Sequence, residues 1–201
     1  RDDHLALSDP AANYVSRAAL KLLAGLEAGH IDPSGKTCLD VGASTGGFTQ
    51  VLMERGASRI YAVDVGHGQL HQRLKGSDRV IGMEGVNARD LTDSMIAEPI
   101  DLLVSDVSFV SLTKVLAPPL ALCTATADAV ILFKPQFEVG RHNIGKGGIV
   151  TDQAPIDTAL AEVIAFMGQQ GFAHRLSVPS PISGGDGNTE TVLVFRRIPP
   201  Q

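Results

Sequence analysis

A glycine-rich turn set between two apolar segments narrows most sharply what this chain can fold into. Thr37–Val41 reads as a short strand and Phe48–Arg55 as a helix closed by Gly56, and the link between them is Gly42-Ala43-Ser44-Thr45-Gly46-Gly47. Glycine lets the main chain bend sharply and come close to a ligand. In an open α/β sheet such a turn lies at the carboxyl edge of the strands, where ligands bind. The run is not the dinucleotide pattern G-x-G-x-x-G, because Ser44 stands where the second glycine belongs. It is not a P-loop either, because Phe48 takes the place of the lysine.

The rest of the chain alternates strands with helices. Tyr14 to Leu26 carries apolar residues at helical spacing (Val15, Ala18/Ala19, Leu22/Leu23, Leu26), and Gly29 ends the run. That helix would present Arg17 and Lys21 on one face. Strands are predicted at Arg59–Asp64, Arg79–Met83, Ile100–Ser105 and Ala129–Phe133, with a helix from a Ser111 cap to about Ala125, kinked at Pro118-Pro119. Residues 135–150 form a basic, glycine-rich loop. A helix capped by Thr151 or Asp152 then runs to Gln170, before strands Phe172–Pro179 and Thr189–Arg196, joined by the turn-rich residues 181–188. The pattern predicts an α/β, Rossmann-like fold with a mostly parallel seven-stranded sheet, one antiparallel strand and helices on both faces. Residues 1–13 read as a tail or linker and 14–198 as one domain.

Composition limits the classes of function. No stretch approaches the roughly 18 apolar residues of a membrane span, and no signal peptide is evident. Cys38 and Cys123 sit in apolar runs and read as small buried residues rather than a disulfide or metal site, which fits a reducing cytoplasm. The net charge of −5 argues against a self-sufficient nucleic-acid binder. An RNA substrate would need a local basic patch, for which Arg17, Lys36, Arg141, His142 and Lys146 are candidates, or a second basic domain. The start at Arg1 is consistent with such a domain preceding this one. His67 and His71 lack a third ligand at useful spacing and read as a surface pair, so no metal is expected.

The glycine turn has no cradle for a phosphate, so a cofactor lacking phosphate fits it better, and S-adenosylmethionine is such a cofactor. Its binding set would be Gly42, Ala43, Ser44, Gly46, Gly47 and Phe48 from the turn, Asp64 at the second strand tip to accept ribose hydroxyls, and Asn87, Glu84 or the neighbouring Asp90 to read the adenine edge. Asp106, ending the fourth strand, faces the same edge. Lys134 at the fifth strand tip, Glu190 at the start of the last strand and Lys21 on the leading helix complete a group of two acids and two amines.

These residues carry a resemblance. Tyr14-Val-Ser-Arg-Ala-Ala-Leu-Lys21, Asp40-Val-Gly-Ala-Ser-Thr-Gly-Gly-Phe-Thr49, Asp101-Leu-Leu-Val-Ser-Asp-Val-Ser-Phe109, Phe133-Lys-Pro-Gln-Phe-Glu138 and Gly187-Asn-Thr-Glu190 resemble the TlyA (hemolysin A) family, and more broadly the FtsJ-like RNA 2′-O-methyltransferases. Thr45 stands where the FtsJ branch has proline, which favours the TlyA branch. The resemblance implies a class I methyltransferase fold and a catalytic Lys-Asp-Lys-Glu tetrad at Lys21, Asp106, Lys134 and Glu190. It also implies methylation of cytidine 2′-hydroxyls in ribosomal RNA or ribosomal subunits, and an S4-type RNA-binding domain at the N-terminus that this chain lacks.

A ribose hydroxyl is a poor nucleophile and needs its proton removed or strongly polarised. Lys134 is the expected acceptor. It must be neutral at that moment, which a neighbouring Lys21 and partial desolvation favour and which Asp106 and Glu190 would oppose if both sat close; the two acids are expected to orient the amines and hold the substrate hydroxyl. Three rival readings stand beside this one. An amino-methyltransferase would show prolines after the fourth strand, where this chain has Ser105-Asp-Val-Ser-Phe109. An RNA-binding or ribosome-assembly module could keep a vestigial pocket. A membrane-active hemolysin would need an amphipathic basic stripe that is not seen.

Overall fold

The computed structural model describes residues 9–199. Its seven strands are β1 (Thr37–Val41), β2 (Arg59–Asp64), β3 (Val80–Glu84), β4 (Ile100–Ser105), β5 (Cys123–Phe133), β6 (Phe172–Pro179) and β7 (Thr191–Arg197). They form one sheet in the order β3-β2-β1-β4-β5-β7-β6. Neighbours from β3 through β5 are parallel, and β7 runs antiparallel to both β5 and β6. The expected sheet with one reversed strand is therefore present. Strand order reverses between β1 and β4, and the crevice between their carboxyl ends is where an open α/β sheet binds ligands.

The side-chain period of two sends alternate residues of each strand to opposite faces. Leu39, Val41, Leu103, Ala129 and Ile131 face one core layer; Cys38, Leu102, Val104, Val130 and Leu132 face the other. Helices α1 (Ala19–Gly29), α2 (Gly47–Glu54) and the short α3 (Gln72–Lys75) cover the second layer, and α4 (Leu112–Val115), α5 (Ala117–Ala121) and α6 (Gln153–Gln169) the first. Asp152 caps α6 by accepting from the amide of Ala154.

The structure departs from the sequence expectations at three places. The helix expected from Ser111 to about Ala125 is two short helices that end at Ala121, and β5 already begins at Cys123. The alanine-rich composition there masks threonines that favour a strand, and the β4–β5 pairing slips between Ile100 and Leu102 to admit the longer strand. Cys123 therefore lies half-buried in a strand, whereas Cys38 is fully buried; both are free, and burial pushes each thiol up to about 12. The leading helix starts at Ala19 rather than Tyr14. Residues 9–13, expected in the tail, pack on the domain: Gln50 accepts from the Val15 amide and donates to the Asn13 carbonyl. Residues 1–8 of that tail lie outside the described residues.

Candidate active site

The glycine turn is held by main-chain bonds from both adjoining strands. The amides of Gly42 and Ala43 donate to the carbonyl of Val63 in β2, and the amide of Asp106 donates to Val41. Gly42 has φ +83°, and a Cβ there would stand 2.5 Å from the Asp106 carbonyl oxygen. Gly46, with φ +106°, leads into α2, and a Cβ there would collide with the Leu74 side chain. Only glycine suits either position.

In front of this turn lies a cavity of about 570 Å³. Gly42, Ser44, Asp64, Asn87 and Asp106 supply its polar wall, and Val63, Val65, Val86 and Val110 much of its apolar wall. Ala43 and Phe48 are buried behind the turn, where they seat it against α1 and α2. Asp64 is fixed by two main-chain donors, Ser44 N at 2.7 Å to Oδ2 and Gly66 N at 2.8 Å to Oδ1. Each carboxylate oxygen keeps a lone pair for a further donor. Glu84 is used elsewhere. It does not line the cavity but accepts from the Gly68 amide at 2.9 Å and pairs with Lys75 at 3.3 Å, contacts that hold its carboxyl below the usual carboxylate range. Asn87 lines the cavity while its Oδ1 caps Arg89 N, and Asp90 does not line it.

A second cavity of about 460 Å³ adjoins the first through shared walls at Ser108 and Phe109. Lys21, Lys134 and Glu190 line it, and Asp106 reaches it by pairing with Lys134 at 2.5 Å. Lys134 Nζ also donates to Ser108 Oγ at 3.0 Å. Lys21 and Glu190 form a second ion pair at 2.5 Å, with side chains 8% and 2% exposed. The four residues thus meet as two salt bridges in one cleft, contributed by α1, the tips of β4 and β5, and the residue before β7.

Sequence reasoning misses three contributors. Phe109 is a non-glycine residue at φ +66° and is 90% exposed, with its ring 5.2 Å from that of Phe137. A bulky residue held in the left-handed region and presented to solvent is uncommon, and such strain gathers at functional sites. Ser108 fixes Lys134 on the wall between the cavities. Asp40 is fully buried beneath the turn and accepts from Thr49 at 2.7 Å, while its Oδ1 has no partner among the described residues. Desolvation pushes its carboxyl up to about 7, the Thr49 hydroxyl opposes this, and the charges of Asp106 and Asp64 add to it. The one signal for Asp40 in the sequence is an acid flanked by apolar residues within β1.

Of the expected RNA contacts, Lys36 sits away from the cavities and Arg17 is engaged by another side chain. Lys36 precedes β1 and lies 3.9 Å from Asp128, at the amino edge of the sheet, so it cannot join a basic patch around these cavities. Arg17 does not share a face with Lys21: it precedes α1, is exposed and pairs with Asp9. Arg141 and Lys146 are exposed in the loop after β5, as expected. Among the described residues no cluster of three His, Cys, Asp or Glu could hold a metal, and His71 instead caps α3.

A model of FtsJ-like methyltransferases matches residues 14–197. The chain belongs to the FtsJ-like methyltransferase family. It is 45% identical over 192 residues to the Mycobacterium tuberculosis 16S/23S rRNA (cytidine-2′-O)-methyltransferase TlyA, covering 94% of this chain and 71% of that protein. It is 40% identical over 183 residues to Hemolysin A of Brachyspira hyodysenteriae, covering 90% of this chain and 76% of that protein. A crystal structure of a Lactococcus lactis protein described as a hemolysin superposes with a TM-score of 0.88 at 38% identity, covering 92% of this chain and 89% of the other. The family domain therefore spans both cavities and all four paired residues.

Proposed function

We propose that this chain transfers a methyl group from S-adenosylmethionine to a ribose 2′-hydroxyl of ribosomal RNA, with cytidine as the modified nucleotide. The observation that carries the reading is the shared wall: a cavity suited to the cofactor adjoins, at Ser108 and Phe109, a cleft holding two lysine–carboxylate pairs. The first cavity fits the cofactor in its chemistry. Its turn offers glycine and main chain rather than a lysine cradle, Asp64 is poised to accept two hydroxyls, and Asn87 stands beside a valine-lined slot suited to a purine.

When bound, the cofactor supplies an electrophilic methyl carbon on a sulfonium. The protein's task lies with the nucleophile. Asp106 and Ser108 fix two of the three hydrogen-bonding directions of Lys134 Nζ, leaving the third for the ribose hydroxyl. Lys134 first gives up its own proton to solvent, against the pull of the Asp106 carboxylate beside it, and the free amine then takes the hydroxyl proton as the oxygen attacks, so that C–O and N–H bonds form while the C–S and O–H bonds break. Lys21, held by Glu190, lies across the same cleft and steadies negative charge gathering on the oxygen. Phe109 offers an exposed ring on which a nucleobase drawn out of its stack can rest.

The experiment is nucleoside mass spectrometry of ribosomal RNA after incubation with the chain and deuterium-labelled cofactor. Label on the ribose of cytidine supports the reading, and label on a base nitrogen or carbon overturns it. The hemolysin name of some relatives motivates a second reading, but no helix among the described residues is long and apolar enough to cross a membrane.

A further inference from the structure

Beyond Phe109 lies a third cavity, of about 320 Å³. It shares Phe109, Gln136, Phe137 and Ile144 with the cleft of paired lysines, so the aromatic pair forms part of the wall between the two spaces. Its far side carries Lys114 and Arg141, and no aspartate or glutamate lines it. Both cations are exposed, and neither lies within 4.0 Å of a carboxylate among the described residues. The two lysines of the neighbouring cleft, Lys21 and Lys134, are by contrast both paired. The neighbouring acid, Glu138, does not line the cavity: its two oxygens accept from Ser111 Oγ, on the cavity wall, at 2.7 Å and from the Leu112 amide at 2.9 Å.

Two unpaired cations around an acid-free hollow are a local reversal in a chain whose net charge is −5. An anion is the ligand such a hollow suits, and the guanidinium fork matches the geometry of phosphate oxygens. We propose that this cavity receives the phosphodiester flanking the modified nucleotide, with Lys114 and Arg141 as its cations. The Phe109–Phe137 pair then divides the nucleotide being modified from its neighbour. The proposal rests on the reading of the acceptor as RNA and adds a second point of grip on the strand. An acidic protein segment would satisfy the same two charges, but the shared aromatic wall with the acceptor cleft favours the strand already threaded there.

The test measures binding rather than turnover. Fluorescence anisotropy of a short, cytidine-containing single-stranded RNA with the whole chain, at several salt concentrations, gives both affinity and salt slope. For single strands each lost phosphate contact lowers the slope by about 0.7. Lys114→Ala combined with Arg141→Ala is expected to lower the slope by about 0.7 to 1.4 and weaken affinity about tenfold or more. Binding of S-adenosylhomocysteine should be unchanged in that variant, which reports an intact fold, and Lys36→Ala should match the wild type. A double variant with the wild-type slope and affinity overturns the proposal. So does a wild type that binds a polyglutamate peptide as tightly as RNA, or that binds no RNA at all. If the wild type binds RNA and the double variant loses slope, yet no methyl reaches a ribose, the phosphate site stands and the methyl-acceptor reading falls. Ribose methylation together with an unchanged slope means the reverse: the acceptor reading stands and the phosphate site falls.

Discussion

The two cavities that meet at Ser108 and Phe109 are built by different means. The cofactor-side cavity is made largely of main chain: a glycine turn tied to β2 and β4, and an aspartate fixed by two backbone amides. The acceptor-side cavity is made of side chains drawn from segments up to 169 residues apart, joined as ion pairs. A backbone-built site is set once the sheet folds. A side-chain-built site depends on each partner, because removing one leaves a buried charge unmatched. On the proposed reading the difference matches the labour: the backbone-built side would hold a small molecule, and the charged side would handle a proton.

The largest effect that would sharpen this contrast is on turnover. Lys134→Ala should slow methyl transfer by about 10²–10⁴-fold, the range of a lost general base, while cofactor affinity measured by calorimetry stays near wild type. Next comes stability on the acceptor side. Lys21→Met alone leaves Glu190 buried and unpaired and should cost about 3–5 kcal/mol in denaturant unfolding; replacing both partners with apolar residues should cost less than either single change. If the single variants unfold like the wild type, the pair is not the buried strut described above.

The cofactor side carries a pH signature. Asp40 has an ordinary value of 3.8 and a folded value of about 7. The fold therefore favours its neutral form, and the resulting stability is fully present below about pH 4 and lost as pH rises through about 7. Asp40→Asn keeps an acceptor for Thr49 and should flatten the fall in unfolding free energy between about pH 4 and 7, by at most a few kcal/mol. An identical pH profile in the variant would show that Asp40 is ionised in the fold. Asp64→Ala should weaken cofactor binding on the order of tenfold to a hundredfold, with RNA binding retained. The smallest effect is at Arg17, whose pair with Asp9 is exposed: Arg17→Ala should change stability by less than about 1 kcal/mol.

The same contrast explains what can be read from the sequence. Strands β1, β2, β4 and β6 are legible to the residue, because apolar runs bounded by turn residues carry their own limits. The turn and Asp64 are legible because both lie at local strand tips. The pairing of Lys21 with Glu190 is not: the strand pattern and the family resemblance group the four ionisable residues, but no spacing rule says which acid meets which amine. Lys36 is a different case, because its true position follows from the strand pattern alone: a residue preceding a parallel strand must lie at the edge opposite its tip. Glu84 is ambiguous in sequence because a strand-tip acid serves a neighbouring loop as readily as a ligand. Phe109 leaves no trace there because exposure and a left-handed backbone depend on how the loop after β4 closes over α4, which composition does not encode.

The central claim is that a methyl donor in the backbone-built cavity faces the nucleophile in the charged one. A crystal structure with S-adenosylhomocysteine tests it directly. The ribose is expected on Asp64, the base beside Asn87, and the sulfur at the Asp106–Ser108 wall, turned toward Lys134. A sulfur directed away from that wall, or a ligand bound outside the cavity in front of Gly42, would contradict it.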